Sequence, residues 1–547
     1  MWDASFDVVI IGGGNKALPL GMYLQRYGGM QVGIFERRHE TGGGLSSEES
    51  PAPGFIADHH ATTIADWYWE VVLKDFPELK DRGLEWVPYI YPIGGVFIED
   101  NDSWILQGPY QDPSGEKTAR DWERFSPRDA ETFLKVWKGW REIIRPAFVK
   151  SMHTIAPPPH EPDDMEKLIP RFVKAIGLEE PFCYIQNPLE LFRDLFESEA
   201  LIAGLCRQGQ GFDGASPLEY GMGLYKLFVV MAFSDFGNLK GGTHSAAHAT
   251  YKVFTEDGGK CFTGHEVDRV IIEHGKAKGI RLVDGTQIEA KRAVISTLDP
   301  YSVVFKLTGK EQWNPRTVRR IANLARWRIT ITMYTWALHE LPRFDKAAAV
   351  LPEISQTGQI AICSKDPEAL SRNACARYMG QWDWEPSSLL LFQHSLIDKT
   401  RAPEGKAVIG TESWQPGANH FTAAEWKTYK LRHAQQVMDT LAKVSSNMTW
   451  DNVIGYVPLT PFDHCHLSNM SPTGNWGIID HTPTQLGKYR PVPELARHKT
   501  PISGFYATGS AWPPAAGGWP GQGYTCYKVL AEDFGLQKPW EEKGREY

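Results

Sequence analysis

The sequence predicts an α/β protein: a Rossmann-like dinucleotide-binding domain with an intertwined α+β substrate domain and a helical cap. Three observations carry that prediction. The first forty-four residues run apolar strand, glycine turn, helix, second strand ending in an acid, and a further glycine cluster. Segments between about residues 130 and 206 alternate apolar and polar residues with a helical period, interrupted by Pro and Gly. A second glycine-rich turn lies near the carboxyl end, at residues 517–523. At 547 residues the chain exceeds one ordinary core and suits two closely joined domains.

Phe6-Asp7-Val8-Val9-Ile10-Ile11 reads as a strand buried on both faces, and a helix follows the turn through to Arg26. The turn, Gly12-Gly13-Gly14-Asn15-Lys16-Ala17, is placed to point main-chain amides at a phosphate. Gly12 permits the sharp turn, Gly14 the close approach of a pyrophosphate, and Ala17 close helix packing. Lys16 either adds positive charge there or lies in solvent. Gln31 to Phe35 supplies the next strand, which ends in Glu36, the acid expected to hold ribose hydroxyls. Arg37 follows and joins the expected cofactor set. The second cluster, Thr41-Gly42-Gly43-Gly44-Leu45, brings more amides within reach of an extended ligand, or forms a plain loop. This pattern does not distinguish FAD from NAD.

Composition narrows the rest. A formal charge of -8 gives no basis for binding a polyanion, so nucleic acid is not expected. The seven cysteines lie singly, with no metal-ligand spacing or disulfide framework, and suit a reducing compartment. No signal-like segment opens the chain, so residence in the cytoplasm is the default. Helices are expected at Ala130–Ile144, Asp164–Ile176 and Leu189–Cys206, and strand at Arg328–Thr335. The apolar run Leu224–Phe233 is too short to span a bilayer and serves either the core or a membrane surface. A small antiparallel meander is expected through Val270–Ile272, Gly279–Leu282 and Ala293–Ser296.

The amino-terminal block, together with Gly241-Gly242-Thr243-His244-Ser245 through Val267 and the segment Gly504–Gly523, resembles the phytoene-desaturase-like branch of the flavin amine oxidase superfamily. That branch includes carotenoid desaturases and isomerases and retinol-saturase-like enzymes. The stretch Thr460-Pro461, Asn469, Gly474, Gly477, Gln485 and Arg490-Pro491 follows the same spacing, as does Pro513 through Ala516. The resemblance covers most of residues 5–73, 237–300 and 455–535. Ala17 replaces the third glycine of the family pattern, and Gly44 stands where an arginine contacting the pyrophosphate is usual.

The resemblance implies FAD as cofactor and divides the chain into five parts. Residues 1–73, 241–300 and 456–547 form the FAD-binding domain and its terminal helix; 74–240 and 301–455 form the cap and substrate domain. It places Val267 near the adenine, and Gly509, Ser510, Gly518, Trp519, Pro520 and Gly521 near the flavin. The implied activity is dehydrogenation or desaturation of an apolar terpenoid-like molecule, with hydride passing to flavin N5 and electrons on to an external acceptor such as a quinone. Saturation or isomerisation of a double bond is the alternative in the same pocket; amine oxidation and a non-enzymatic flavin scaffold rank lower.

No residue is fixed as acid or base: His59, His60 and His244 serve either structural hydrogen bonding or proton exchange, His466 is the first candidate for proton transfer, and Trp519 either contacts flavin or substrate or packs in the core. Asp463-His464-Cys465-His466 reads as a structural loop, a proton-transfer site or a metal site in an extended segment where His464 and His466 share a face; no metal is expected. Peripheral membrane contact and homo-oligomerisation are left open.

Overall fold

A computed structural model describes residues 2–88, 90–235, 237–383, 388–468, 470, 472–515 and 517–547. Asn469 and Ala516, both in the matched segments above, lie outside the described residues.

The strand Ala4–Ile11 stands at the centre of the first sheet. Val32–Phe35 runs parallel on one side, with Lys260–Phe262 beyond it, and Gln287–Ser296 runs parallel on the other. The long strand Gln287–Ser296 is shared. Its first half pairs antiparallel with Lys276–Leu282, which leads to Val267–Glu273; its second half pairs parallel with Phe505–Ala507. The carboxyl-terminal segment therefore completes a sheet begun at the amino terminus, and the predicted meander is present.

Alternation explains why the opening strand is apolar throughout. Val8 and Ile10 pack with the helices Ala17–Arg26, His244–Glu256 and Gly521–Phe534. Val9 and Ile11 face the other way, toward Ile280, Val294, Ala507 and Trp512.

A second seven-stranded sheet lies in the other half of the chain's fold, in the order Val453–Leu459, Ile331–Leu338, Ala407–Trp414, Ser388–Phe392, Gln359–Cys363, Ile93–Phe97, Ser103–Leu106. Its outer face presents Tyr334, Trp336, Leu389, Leu391 and Ile409 to the long helix Ala423–Val444. Its inner face, carrying Leu390 and Phe392, meets the cap. The cap consists chiefly of the helices Pro127–Gly139, Arg145–Ser151, Asp164–Ile176, Pro188–Leu195, Glu199–Gln210 and Gly223–Phe233.

Three predicted elements shift, each for a local reason. The helix expected over Ala130–Ile144 starts at Pro127, capped by Ser126, and passes through a π-turn at Trp140–Ile144. The helix expected over Leu189–Cys206 is two helices, because Asn187 and Ser198 each cap a separate start. The strand expected at Arg328 begins at Ile331, since the amides of Arg328 and Ile329 donate to the Asp480 carboxylate instead of to a neighbouring strand. Leu224–Phe233 is buried core, with Lys226 donating to the Gly209 carbonyl at 3.1 Å and to Asp213. Among the described residues no helix is long and apolar enough to cross a membrane.

Candidate active site

A cavity of about 560 Å³ runs between the two sheets. It begins at Glu36, Arg37 and Val267, passes Gly12 and Gly14, reaches Gly517, Gly518 and Trp519, and ends against Ile331, Phe392 and Glu412 of the second sheet. One space thus connects the first glycine turn to the second sheet.

At the nucleotide end, main chain does most of the shaping. Gly12 has φ of 90°, and a β-carbon there would lie 2.7 Å from Thr297 Oγ1. Gly14 differs: its β-carbon would meet no protein atom within 4 Å. Gly14 lines the cavity, so its bareness leaves room for a ligand instead of for a neighbouring side chain. The Gly42 amide donates to the Gly13 carbonyl at 2.9 Å, bringing Gly43, Gly44 and Leu45 to the same wall. Glu36 Oε2 accepts from the Gly13 amide at 2.7 Å and Oε1 from the Arg38 amide at 2.8 Å, which fixes the carboxylate at the mouth of the turn.

The far turn folds back onto this cradle. Lys16 is only 3% exposed, and its ammonium donates to Asn15 Oδ1 at 2.9 Å and to the Gly517 carbonyl. The solvent-exposed alternative for Lys16 is therefore overturned: the side chain ties the first turn to the last. Burial, assisted by the Arg490 charge, pulls its pKa down to about 7. Arg490 is itself fully buried and donates to the carbonyls of Gly477, at 2.7 Å, and of Gln485 and Ser510, both at 3.0 Å, clamping the segment that carries Gly509 and Ser510. Gly523, in the terminal helix, lies against the Lys16 carbonyl with no space for a side chain.

Asn15, Lys16, Gly509, Ser510, Gly518 and Trp519 line the cavity, whereas Ala17, Pro520 and Gly521 are buried but are not lining residues. Trp519 has its Nε1 without a hydrogen-bond partner among the described residues, packs on Tyr68 at a centroid distance of 4.8 Å, and lies near-parallel to Phe212 at 6.4 Å.

Three of the histidines considered for proton transfer, His60, His244 and His466, are dispersed. His60 lines the cavity, with Nε2 2.8 Å from Ser468 Oγ; burial, then the neighbouring His464, hold its pKa well below the usual value, so it is neutral. His244 is buried beneath the second glycine cluster, with Nε2 3.1 Å from the Thr41 carbonyl, and is not a lining residue. His466 is exposed, with Nδ1 2.8 Å from the Phe462 carbonyl, and is likewise outside the lining. The extended segment expected around it is the helix Pro461–Leu467, started by the Thr460/Asp463 capping box. Two residues along a helix turn His464 inward and His466 outward, so they share no face. Among the described residues no group of His, Cys, Asp and Glu is arranged to hold a metal.

Sequence reasoning missed the substrate end. Tyr68, Phe212, Phe233, Phe392 and Glu412 come from widely separated segments and meet only in three dimensions. Glu412 had one signal: a carboxylate within the apolar strand Ala407–Trp414, which is buried at every position.

Comparison with known proteins accords with this geometry. Residues 10–77 match the NAD(P)-binding Rossmann-like domain. One of the subunits of limonene dehydrogenase from Castellaniella defragrans is 26% identical, covering 98% of this chain and 96% of that protein. 4,4'-Diapophytoene desaturase from a Methylomonas species is 24% identical over 79% of this chain and 78% of that protein. Cyclohexylamine oxidase from Brevibacterium oxydans has the same overall fold, with a TM-score of 0.56 at 14% identity, covering 97% of this chain and 99% of that one. The expected α/β Rossmann-like fold, the resemblance to carotenoid desaturases and the oxidoreductase class are borne out.

Proposed function

We propose that this protein is an FAD-dependent dehydrogenase acting on an apolar, terpenoid-like molecule. The observation that carries the reading is the continuous cavity joining a dinucleotide cradle to an apolar chamber beside Trp519. Its relatives include a limonene dehydrogenase and carotenoid desaturases, which supports both the cofactor and the substrate class.

The residues present fit FAD. Gly14 and Gly44 each leave open space where a β-carbon would stand, Glu36 waits at the ribose end, and the buried Trp519 Nε1 lacks a partner among the described residues. Bound there, FAD supplies a two-electron, hydride-accepting centre. The chain orients and excludes water: Lys16 and Arg490 hold the carboxyl-terminal turn in place, and Phe212, Phe233, Phe392 and Ile331 wall the chamber. A separate acceptor, a quinone or similar molecule, takes the electrons onward. Contact with a membrane surface, as a route for a water-insoluble substrate, is supported by a patch of exposed apolar residues on the cap: Phe182, Ile185, Leu218 and Tyr220, joined where the Gly221 amide donates to the Ile185 carbonyl at 3.0 Å.

Anaerobic incubation of flavin-loaded protein with a terpenoid panel tests this. Flavin bleaching with a product lighter by two hydrogens is expected. A folded protein that retains no flavin, or a product isomeric with its substrate and formed without bleaching, would contradict it.

A further inference from the structure

We propose that Glu412 is the proton acceptor of the substrate chamber, and that the substrate it serves carries a hydroxyl on the carbon that gives up hydride. This rests on the dehydrogenase reading above and specifies its substrate.

Side chains alternate along a strand, so the residues beside Glu412 on the inner face of the second sheet are its cross-strand partners Met333 and Leu390. Ile331 and Phe392 extend the wall, and Phe212 and Phe233 close it from the cap. A carboxylate is thus set into an apolar surface. It is 7% exposed, lines the cavity, and its Oε1 has no hydrogen-bond partner among the described residues. A buried acceptor in that state is costly unless a ligand satisfies it.

Behind the wall lies Arg207, fully buried on the helix Glu199–Gln210, with all three guanidinium nitrogens lacking hydrogen-bond partners among the described residues. A β-carbon on the cavity-lining Gly211 would stand 3.6 Å from an Arg207 terminal nitrogen, which places the guanidinium just outside the chamber. Arg207 faces Glu412 as opposite charge without bonding to it. Glu412 therefore faces an opposite charge while its carboxylate makes no hydrogen bond among the described residues, and Oε2, the oxygen not enclosed by protein, is the one left to a ligand.

That arrangement selects the ligand. An ammonium group would bring a second cation into a space that already faces Arg207. A hydrocarbon would offer the carboxylate no hydrogen bond. A neutral O–H donor offers one and adds no cation.

The step then closes. With FAD bound as the hydride-accepting centre, the carbinol C–H bond would break with its electron pair going to that centre, the O–H bond would break with its proton passing to Glu412, and the C–O bond would become C=O. Burial pushes the Glu412 carboxyl up to about 7 against the downward pull of Arg207, so base and conjugate acid are both populated near neutrality. Arg207 is the charged group that faces Glu412, and Cys363 and Arg377 in turn act on Arg207.

The test uses flavin-loaded wild type, Glu412→Gln and Arg207→Met, mixed anaerobically with a cyclic monoterpene allylic alcohol, its parent hydrocarbon and the corresponding amine. The alcohol is expected to bleach wild-type flavin and yield the carbonyl compound, with a limb in the pH–rate profile near 7. Glu412→Gln should slow bleaching at least ~100-fold and abolish the limb while flavin content and reduction by dithionite stay unchanged. Arg207→Met should move the limb to higher pH. Failure of the alcohol to bleach a wild-type flavin that the hydrocarbon reduces, or equal bleaching by Glu412→Gln and wild type, overturns this proposal and leaves the dehydrogenase reading standing. A wild-type limb absent near 7 overturns it even if the variants do not fold, and loss of flavin from folded wild type overturns both.

Discussion

The two ends of the cavity are built by different means. At the end by the glycine turns the lining groups are largely main chain, brought close by glycines; at the far end they are side chains carried on two strands, one cap helix, a 3-10 turn and a loop. The first arrangement is tied to local chain geometry and so appears as a contiguous motif. The second depends on topology, and its members are spread from Tyr68 to Glu412. A wall built from glycine turns therefore advertises itself in sequence, while a chamber assembled from distant side chains does not.

The seam between the two ends is where this contrast breaks first. Gly523 is pressed against the Lys16 carbonyl, where the helices Ala17–Arg26 and Gly521–Phe534 meet. Gly523→Val forces backbone apart at a buried contact and is expected to cost about 3 kcal/mol or more, measured by denaturant unfolding of the flavin-free protein. A variant as stable as wild type would show that the carboxyl-terminal turn is not anchored there.

A smaller effect sharpens the substrate side. Glu412 has a folded-state pKa of about 7 against 4.5 for its ordinary value. Between these values the unfolded chain ionises while the folded chain keeps its proton, so stability present below about 4.5 is lost as pH rises through about 7. The full swing is at most ~3 kcal/mol. Unfolding curves across that range should show a downward slope for wild type that is shallower for Glu412→Gln. Parallel slopes would mean that Glu412 titrates as an exposed carboxylate does.

Legibility from sequence followed the same division. The strand Phe6–Ile11, the turn and Glu36 were readable because each rests on a local rule, a doubly buried strand and a tight turn ahead of an acid-ended strand, whereas the terminal helix came from the family resemblance. Helix boundaries in the cap were less readable, since Asn187 and Ser198 act as caps only once the chain breaks at residues 196–198. Arg328 and Ile329 continue the alternation of the strand in sequence, but the distant Asp480 claims their amides. Lys16 looked indifferent because its partner carbonyl, at Gly517, lies near the other end of the chain. The histidines drew attention by their chemistry and by lying beside family-matched segments, and His466 then took the outer face of a short helix. Arg207 and Glu412 gave no motif, as neither is near the other along the chain.

The most direct test of the central claim is the flavin content of Gly14→Val. Because a β-carbon at residue 14 meets no protein atom within 4 Å and residue 14 lines the cavity, the variant should unfold at close to the wild-type temperature when both are flavin-free. Wild type should carry one flavin per chain after reconstitution, and the variant close to none. A folded Gly14→Val protein that keeps its flavin would contradict the account.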